Sequence, residues 1–535
     1  MKFRSMLVLV ALFASYVSTA QVKFSKEFKI TVGEPYKVVD AKSKEYFGDG
    51  EGHIVTVKTD GELIVVQRFN VSDGKEIGRK EYKDQPDKSE LQSVFNVGGK
   101  LFYIYTVAKK GDLFDVFCRE VNMKQGSMES AKLLFTSKGD LARTEPKETL
   151  GAWGLQRGPF LTVYKSFDDS KVLINYRRIP LIKSDAKNKD ILGFYVFDNT
   201  MKSIWGDEVT MPHTEKEMNN LAYTVTKDGT ARMLAYLNEA KSFELINIAA
   251  PGKLSNMKVD IDGNLKFQRF NVKEDNSGNL VCTGFYAKGI DVKVSWTGSA
   301  SLSWNIDGLK IFKMDSQGKV LDNKDFEFPI AMLNQFESKR QQEKNEKREG
   351  EGKAGIPDLV LRDVSVDADG NTMVIGEQHY IRTERTINGT QTVYFYGDMV
   401  ATRIDKDGKL MWMKKLPKDQ TGYQGKGGMG FRLVVGKTAT YFLYLDNKKN
   451  AELSVDKAPA KHSDGKGGYF FAYKLENATG DVSKHVLFDT DDLQGEEIYQ
   501  FNTGRIFEPS PDIFFLESYM KKKQDKMIRM ELTTK

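Results

Sequence analysis

With 535 residues, 40% of them hydrophobic and 29% charged, the chain has the composition of a folded globular protein and not of a disordered one. A formal charge of +6 over that length argues against a surface built for nucleic acid, while 13 prolines and 46 glycines suit many short strands joined by polar turns. Only Cys118 and Cys282 are available for a disulfide; both stand in apolar strand patterns, which reads as two buried thiols.

The first elements in chain order are a leader and a lone strand. Lys2 and Arg4 precede an apolar run over 6–17, and Ser18, Thr19 and Ala20 supply small residues before Gln21. This is the plan of a cleavable secretory signal over 1–20, leaving 21–535 as the mature domain. Loss of Lys2 and Arg4 lowers the charge by two. No later stretch approaches the roughly 18 apolar residues of a membrane span, and no cysteine follows the cleavage site for a lipid anchor. The signal resembles those of exported proteins of Gram-negative Bacteroidota, which implies a periplasmic, outer-membrane-associated or secreted protein. Residues 22–30 then read as a single edge strand without a partner nearby.

From there one device repeats. An alternating strand, an Asp-Gly or Gly-Gly turn and a second apolar strand make a hairpin. The clearest copy is 363–376, turning on Asp367-Ala-Asp369-Gly370-Asn371; its sequel 399–412 turns on Asp405-Lys406-Asp407-Gly408. Two hairpins in succession make a four-stranded meander. Such units begin near 36, 91, 159, 220, 265, 361 and 430, and 498–532 supplies three further strands. A four-stranded sheet cannot bury both faces alone, so it needs copies of itself as neighbours. The expectation is an all-β chain, a single β-propeller of eight four-stranded blades. The N-terminal strand would complete the C-terminal blade and close the ring. Seven blades is the alternative, should the weakly patterned unit 220–262 merge with a neighbour.

The stretch Arg403-Ile-Asp405-Lys406-Asp407-Gly408-Lys409-Leu410-Met411-Trp412 resembles the repeat of quinoprotein-type (PQQ) propellers, in which an Asp, a Gly-Lys turn and a Trp recur. Blade number agrees with that family and with the related periplasmic scaffold of outer-membrane protein assembly. The resemblance covers the repeat pattern: Trp205 and Trp412 alone hold the Trp position, and the adjacent cysteines found below the quinone ring are missing.

Other motifs carry turn chemistry. The Asp-rich turns lack the glutamate that a calcium loop places six residues after its glycine, since Gly376, Lys414 and Arg269 hold those positions. The glycines of 425–430 precede a strand instead of opening a helix, so they do not form a dinucleotide site. His53, His213, His379, His462 and His485 stand in different repeats without a second ligand at metal spacing. Neither metal nor cofactor is expected.

The connections are asymmetric. Turns within hairpins are tight, whereas those between hairpins carry the insertions 137–158, 177–190, 287–306, 329–358, 380–397 and 446–468. Insertion 329–358 reads as a helix from 330 running on through a sign-alternating charged stretch. Insertions 287–306 and 380–397 read as protruding hairpins, and all three should be neighbours. Long loops on a rigid scaffold are where binding is usually placed. Trp296, Trp304, Tyr380, Arg382, Arg385, Tyr394 and Tyr396 are the candidate partner-binding residues. The expected function is an exported, non-enzymatic scaffold that binds a protein or glycan partner on this face. The alternatives are a polymer-acting hydrolase or lyase with its site at the propeller axis and, more remotely, a quinone-dependent dehydrogenase.

Overall fold

The computed structural model describes residues 23–144, 158–261, 265–267, 269–294, 300–386, 389–423 and 427–533. The leader, Trp296 and Gly425 lie outside them. Among the described residues the chain forms eight sheets of four to six strands, antiparallel but for one short parallel pair, and one three-stranded sheet. No helix in them is long and apolar enough to cross a membrane.

Each sheet grades from apolar to polar as its sequence dictates. The second strands Leu280–Ala287 and Ala439–Asp446 are buried at every position, because their apolar runs are covered on both faces. The outermost strand Val320–Glu327 alternates half-buried with exposed residues. Tight turns between strands rest on aspartate side chains: Asp405 Oδ1 accepts from Asp407 N at 3.0 Å and Lys409 N at 2.8 Å, with Gly408 at φ 75°. Asp367 does the same for Asp369 and Asn371, and its second oxygen accepts from Arg403 at 2.6 Å. These carboxylates shape hairpins.

Consecutive sheets pack face to face through apolar clusters, the construction of a β-propeller. Leu173, Phe194 and Val196 of the third sheet meet Met233, Ile246 and Ile248 of the fourth. That fourth sheet is a full meander of Met218–Val225, Ala231–Leu237, Ser242–Ala250 and Lys253–Val259, despite its weak pattern in sequence. Ile54 and Phe69 of the first sheet pack on Phe507, Phe515 and Met527 of the last. Trp205 and Trp412 bridge forward to the next sheet, donating from Nε1 to Gly229 O and Asn477 O, both at 2.9 Å. Cys118 and Cys282 are free, buried and in different sheets; burial pushes the Cys118 thiol up to about 12.

The first strands of the sheets run side by side: Ser89–Val97 touches Leu161–Lys165, which touches Met218–Val225, which touches Asn271–Glu274. Ser43–Gly48 touches Ile506–Ser510 likewise, and a Cβ at Gly48 would lie 2.0 Å from Pro509 O, so only glycine permits this approach.

Three sequence expectations need correcting. The N-terminal strand is Phe28–Val32, not 22–30; it pairs with Gln524–Leu532, Phe28 opposite Leu532 and Val32 opposite Ile528. Residues before it turn aside onto the seventh sheet, where Ser25 N donates to Val486 O at 2.7 Å. Tyr36 belongs to the last sheet, opposite Asp525, so the first sheet begins at Ser43. The 329–358 insertion is two helices, Ile330–Leu333 and Lys339–Gly350: Phe336 takes φ 67° and Ser338 caps a fresh start by accepting from Gln341 N.

Candidate functional site on the loop-rich face

The connections between hairpins carry the extra structure. Strands Thr372–Thr386 and Gly389–Ile404 are twice the length of their neighbours in the sheet. Their pairing continues through His379↔Tyr396, Tyr380↔Phe395 and Arg382↔Val393 to Thr386↔Gly389, well beyond the end of Leu359–Val366. The hairpin therefore projects from the sheet.

Strand alternation gives it two different faces. On one, the Tyr380 and Phe395 rings stack at 4.5 Å and 11°, and the Arg382 guanidinium lies 5.7 Å and 5.3 Å from their centres. Arg382 is 59% exposed, with a loose 3.9 Å contact to Glu384. On the other, Tyr394 and Tyr396 are buried against Met429, while neighbouring Ile381 remains 41% exposed. Tyr394 and Tyr396 therefore build the hairpin's brace and not its contact surface. Arg385 holds its strand position opposite Thr390.

The brace comes from two other connections. Gln420–Gly422 pairs with Tyr394–Tyr396 on one side and, in parallel, with His462–Ser463 of the 446–468 insertion on the other. Gln420 accepts from Gly430 N at 2.8 Å and donates to Leu445 O at 2.7 Å; Asp464 accepts from Gly428 N at 2.8 Å. Gly428 and Gly430 of the glycine run are thus gripped by their neighbours.

The three insertions expected to be neighbours do meet. Strand Ala300–Ile306 pairs with Ile290–Val294 and with Ile356–Pro357 from the helical insertion. Lys415 donates to Gln335 O at 2.9 Å and pairs with Asp398 at 3.1 Å, tying that insertion to the root of the projecting hairpin. Trp304 is half-buried against the cluster containing Ile306 and Ile356.

At the root lies a charged cluster that residue spacing did not reveal. Arg362, the extra residue of a β-bulge between Leu361 and Asp363, donates from Nε to Glu377 Oε2 at 2.8 Å. Lys418, its side chain fully buried, lies 2.8 Å from Glu377 Oε1 and donates to Gln420 at 3.1 Å. Burial alone would raise the Glu377 carboxyl, but the Lys418 and Arg362 charges outweigh it and hold it below the usual range. Burial likewise pulls Lys418 down. The Tyr396 ring lies 5.7 Å from Arg362 and 5.5 Å from Lys418, and His379 packs on it at 4.3 Å. Burial takes His379 and His462 down to about 4, with Arg362 and Lys418 opposing protonation of His379 and Lys418 that of His462. Two histidines from different repeats thus sit around one lysine. The only sequence signal was an insertion in each of two adjacent units.

No family model and no curated protein matches the chain. Among solved structures, it is similar to the Dos1 propeller, with TM-score 0.38 and 9% identity over 94% of this chain and 96% of that one. It is also similar to the WD40 domain of SCAP from fission yeast, with TM-score 0.36 and 7% identity over 96% and 97%. For the polysaccharide lyase Uly1 the TM-score is 0.36, with 9% identity over 97% and 94%.

Proposed function

We propose that this chain is an exported, ring-closed propeller of eight blades that acts as a non-enzymatic scaffold, binding a protein or glycan partner on its loop-rich face. The edge pairing of Phe28–Val32 with the final strand, and the apolar cluster joining first and last sheets, support the ring. The observation that carries the binding reading is the Tyr380–Phe395 stack under Arg382 on a projecting hairpin. Stacked rings and a planar guanidinium offer large contact area at low entropic cost. The braced reverse side means that little order has to be gained on binding. Export places such a surface in the periplasm, at the outer membrane or outside the cell.

The test is a photo-crosslinker at Glu384, which follows Tyr380 and Arg382 on the open face and is 41% exposed. In cells of the source organism it should yield one dominant protein or glycan adduct, absent when the crosslinker replaces Lys227 on the opposite face. Adducts of equal yield from both positions would refute the reading.

A second reading, a hydrolase or lyase acting at the axis, has one observation in its favour. Arg432, exposed on a first strand, is pulled down by desolvation among its neighbours, and Glu45, Asp363 and Glu508 from three other first strands oppose that shift. If this reading holds, Asp363→Asn and Glu508→Gln abolish turnover of a polymeric substrate without loss of fold.

A further inference from the structure

The first strands of the third to sixth sheets line a solvent-open cavity of about 740 Å³, a size that suits a small-molecule ligand. Its wall is aromatic on one part: Tyr164, Tyr223 and Phe270 line it, the two tyrosine rings 5.9 Å apart and tilted. Its charged lining is uneven. Asp169 is paired with Lys165 at 2.9 Å, and Glu274 is buried, accepts a hydrogen bond from Lys227 N at 3.0 Å and is raised by burial. Arg269 and Lys273 stand on the same wall, and Lys273 is exposed, with no carboxylate partner among the described residues. The acids are compensated and one cation is not.

We infer that this central cavity is a binding site for a ring-bearing organic anion, with Lys273 and Arg269 receiving its carboxylate and the half-buried Tyr164 and Tyr223 receiving its ring. Exposed cations on a concave wall focus the field into the cavity and so favour an anion there over one at an open surface. Rings lining the wall would stack on a sugar or an aromatic acid alike. The site is independent of the projecting hairpin.

The experiment is calorimetric titration of the full mature chain with glucuronate, 4-hydroxybenzoate, neutral glucose and inorganic phosphate. At least one of the two ring carboxylates should bind, and glucose should not; which one binds separates a sugar acid from an aromatic acid. Lys273→Ala should weaken that binding at least tenfold and Lys273→Arg should restore most of it, both with unchanged melting temperature, since Lys273 is exposed. Lys406→Ala should have no effect. Absence of binding by both ring carboxylates at millimolar concentration overturns the inference, as does phosphate binding in their place or equal affinity in Lys273→Ala.

Discussion

Glu517 of the last sheet is wholly buried and accepts hydrogen bonds from both Tyr36 and Tyr46, each at 2.6 Å. It also binds Lys58, which is buried in the first sheet, and Lys44 at 3.3 Å, while Lys44 lies 3.5 Å from Asp525. Residues 36–58 and 517–525, remote in sequence, thus converge on one carboxylate where the first and last sheets meet. The Lys58 and Lys44 charges hold Glu517 well below the usual range against its burial. Removing one partner of such a buried pair strands the other. We expect Lys58→Met and Glu517→Gln each to cost about 3 kcal/mol in denaturant unfolding. A loss below about 1 kcal/mol for both would show that the cluster does not hold the junction.

The edge strand makes a companion prediction. Phe28, Ile30 and Val32 pack on the cluster shared by the seventh and last sheets. Deleting 22–32 should lower the melting temperature by at least about 5 °C, from the apolar burial lost. It should also promote self-association through the bared edge of Gln524–Leu532. Light scattering together with a thermal scan checks both. An unchanged monomer with unchanged melting would contradict ring closure.

Acid should act through the root of the hairpin. The rings of His379 and His462 titrate at about 4 in the folded chain against 6.5 when free. Between those values the unfolded chain binds protons that the folded chain refuses, so stability falls as pH drops from about 6.5 to 4. Asp446, raised to about 6 by burial, works in the opposite sense, since the folded chain binds its proton first. The double variant His379→Gln, His462→Gln should therefore lose less stability than the parent between pH 6.5 and 4. Identical pH profiles would mean that the rings are not held neutral.

The repeat was legible because each hairpin writes its own signal: alternation, then an aspartate and a glycine that the turn requires. The first strands begin within a few residues of the predicted unit starts, except where Tyr36 crosses to the last sheet. That exception and the break at Phe336 share a cause. Pairing across 489 residues of sequence, from Tyr36 to Asp525, and a local positive φ leave no periodicity to read. The candidate site was legible only in part. The insertions and their aromatic content pointed to a hairpin that does project from its sheet, and Tyr380 and Arg382 share its open face. Alternation alone could have put Tyr394 and Tyr396 on the reverse face, but not shown that Met429 and Gln420–Gly422 would cover them. Arg362, Glu377 and Lys418 were invisible, because a bulge and two separate connections bring them together.

Tyr394 and Tyr380 should separate stability from binding. Tyr394→Ala removes a buried ring and should cost about 3 kcal/mol, whereas Tyr380→Ala on the open face should cost less than about 1.5 kcal/mol. Chemical denaturation of the two variants measures this. Equal losses would mean that the open face is itself structural.

The most direct measurement is a titration of the crosslinked partner, once identified, against the double variant Tyr380→Ala, Arg382→Ala and the control Lys227→Ala, Lys406→Ala. Anchors of these types each contribute about 2 kcal/mol at the centre of an interface. We predict at least a tenfold loss of affinity for the first pair and none for the second, with both proteins melting as the parent does. Equal affinities for the two pairs would contradict a binding role for the loop-rich face.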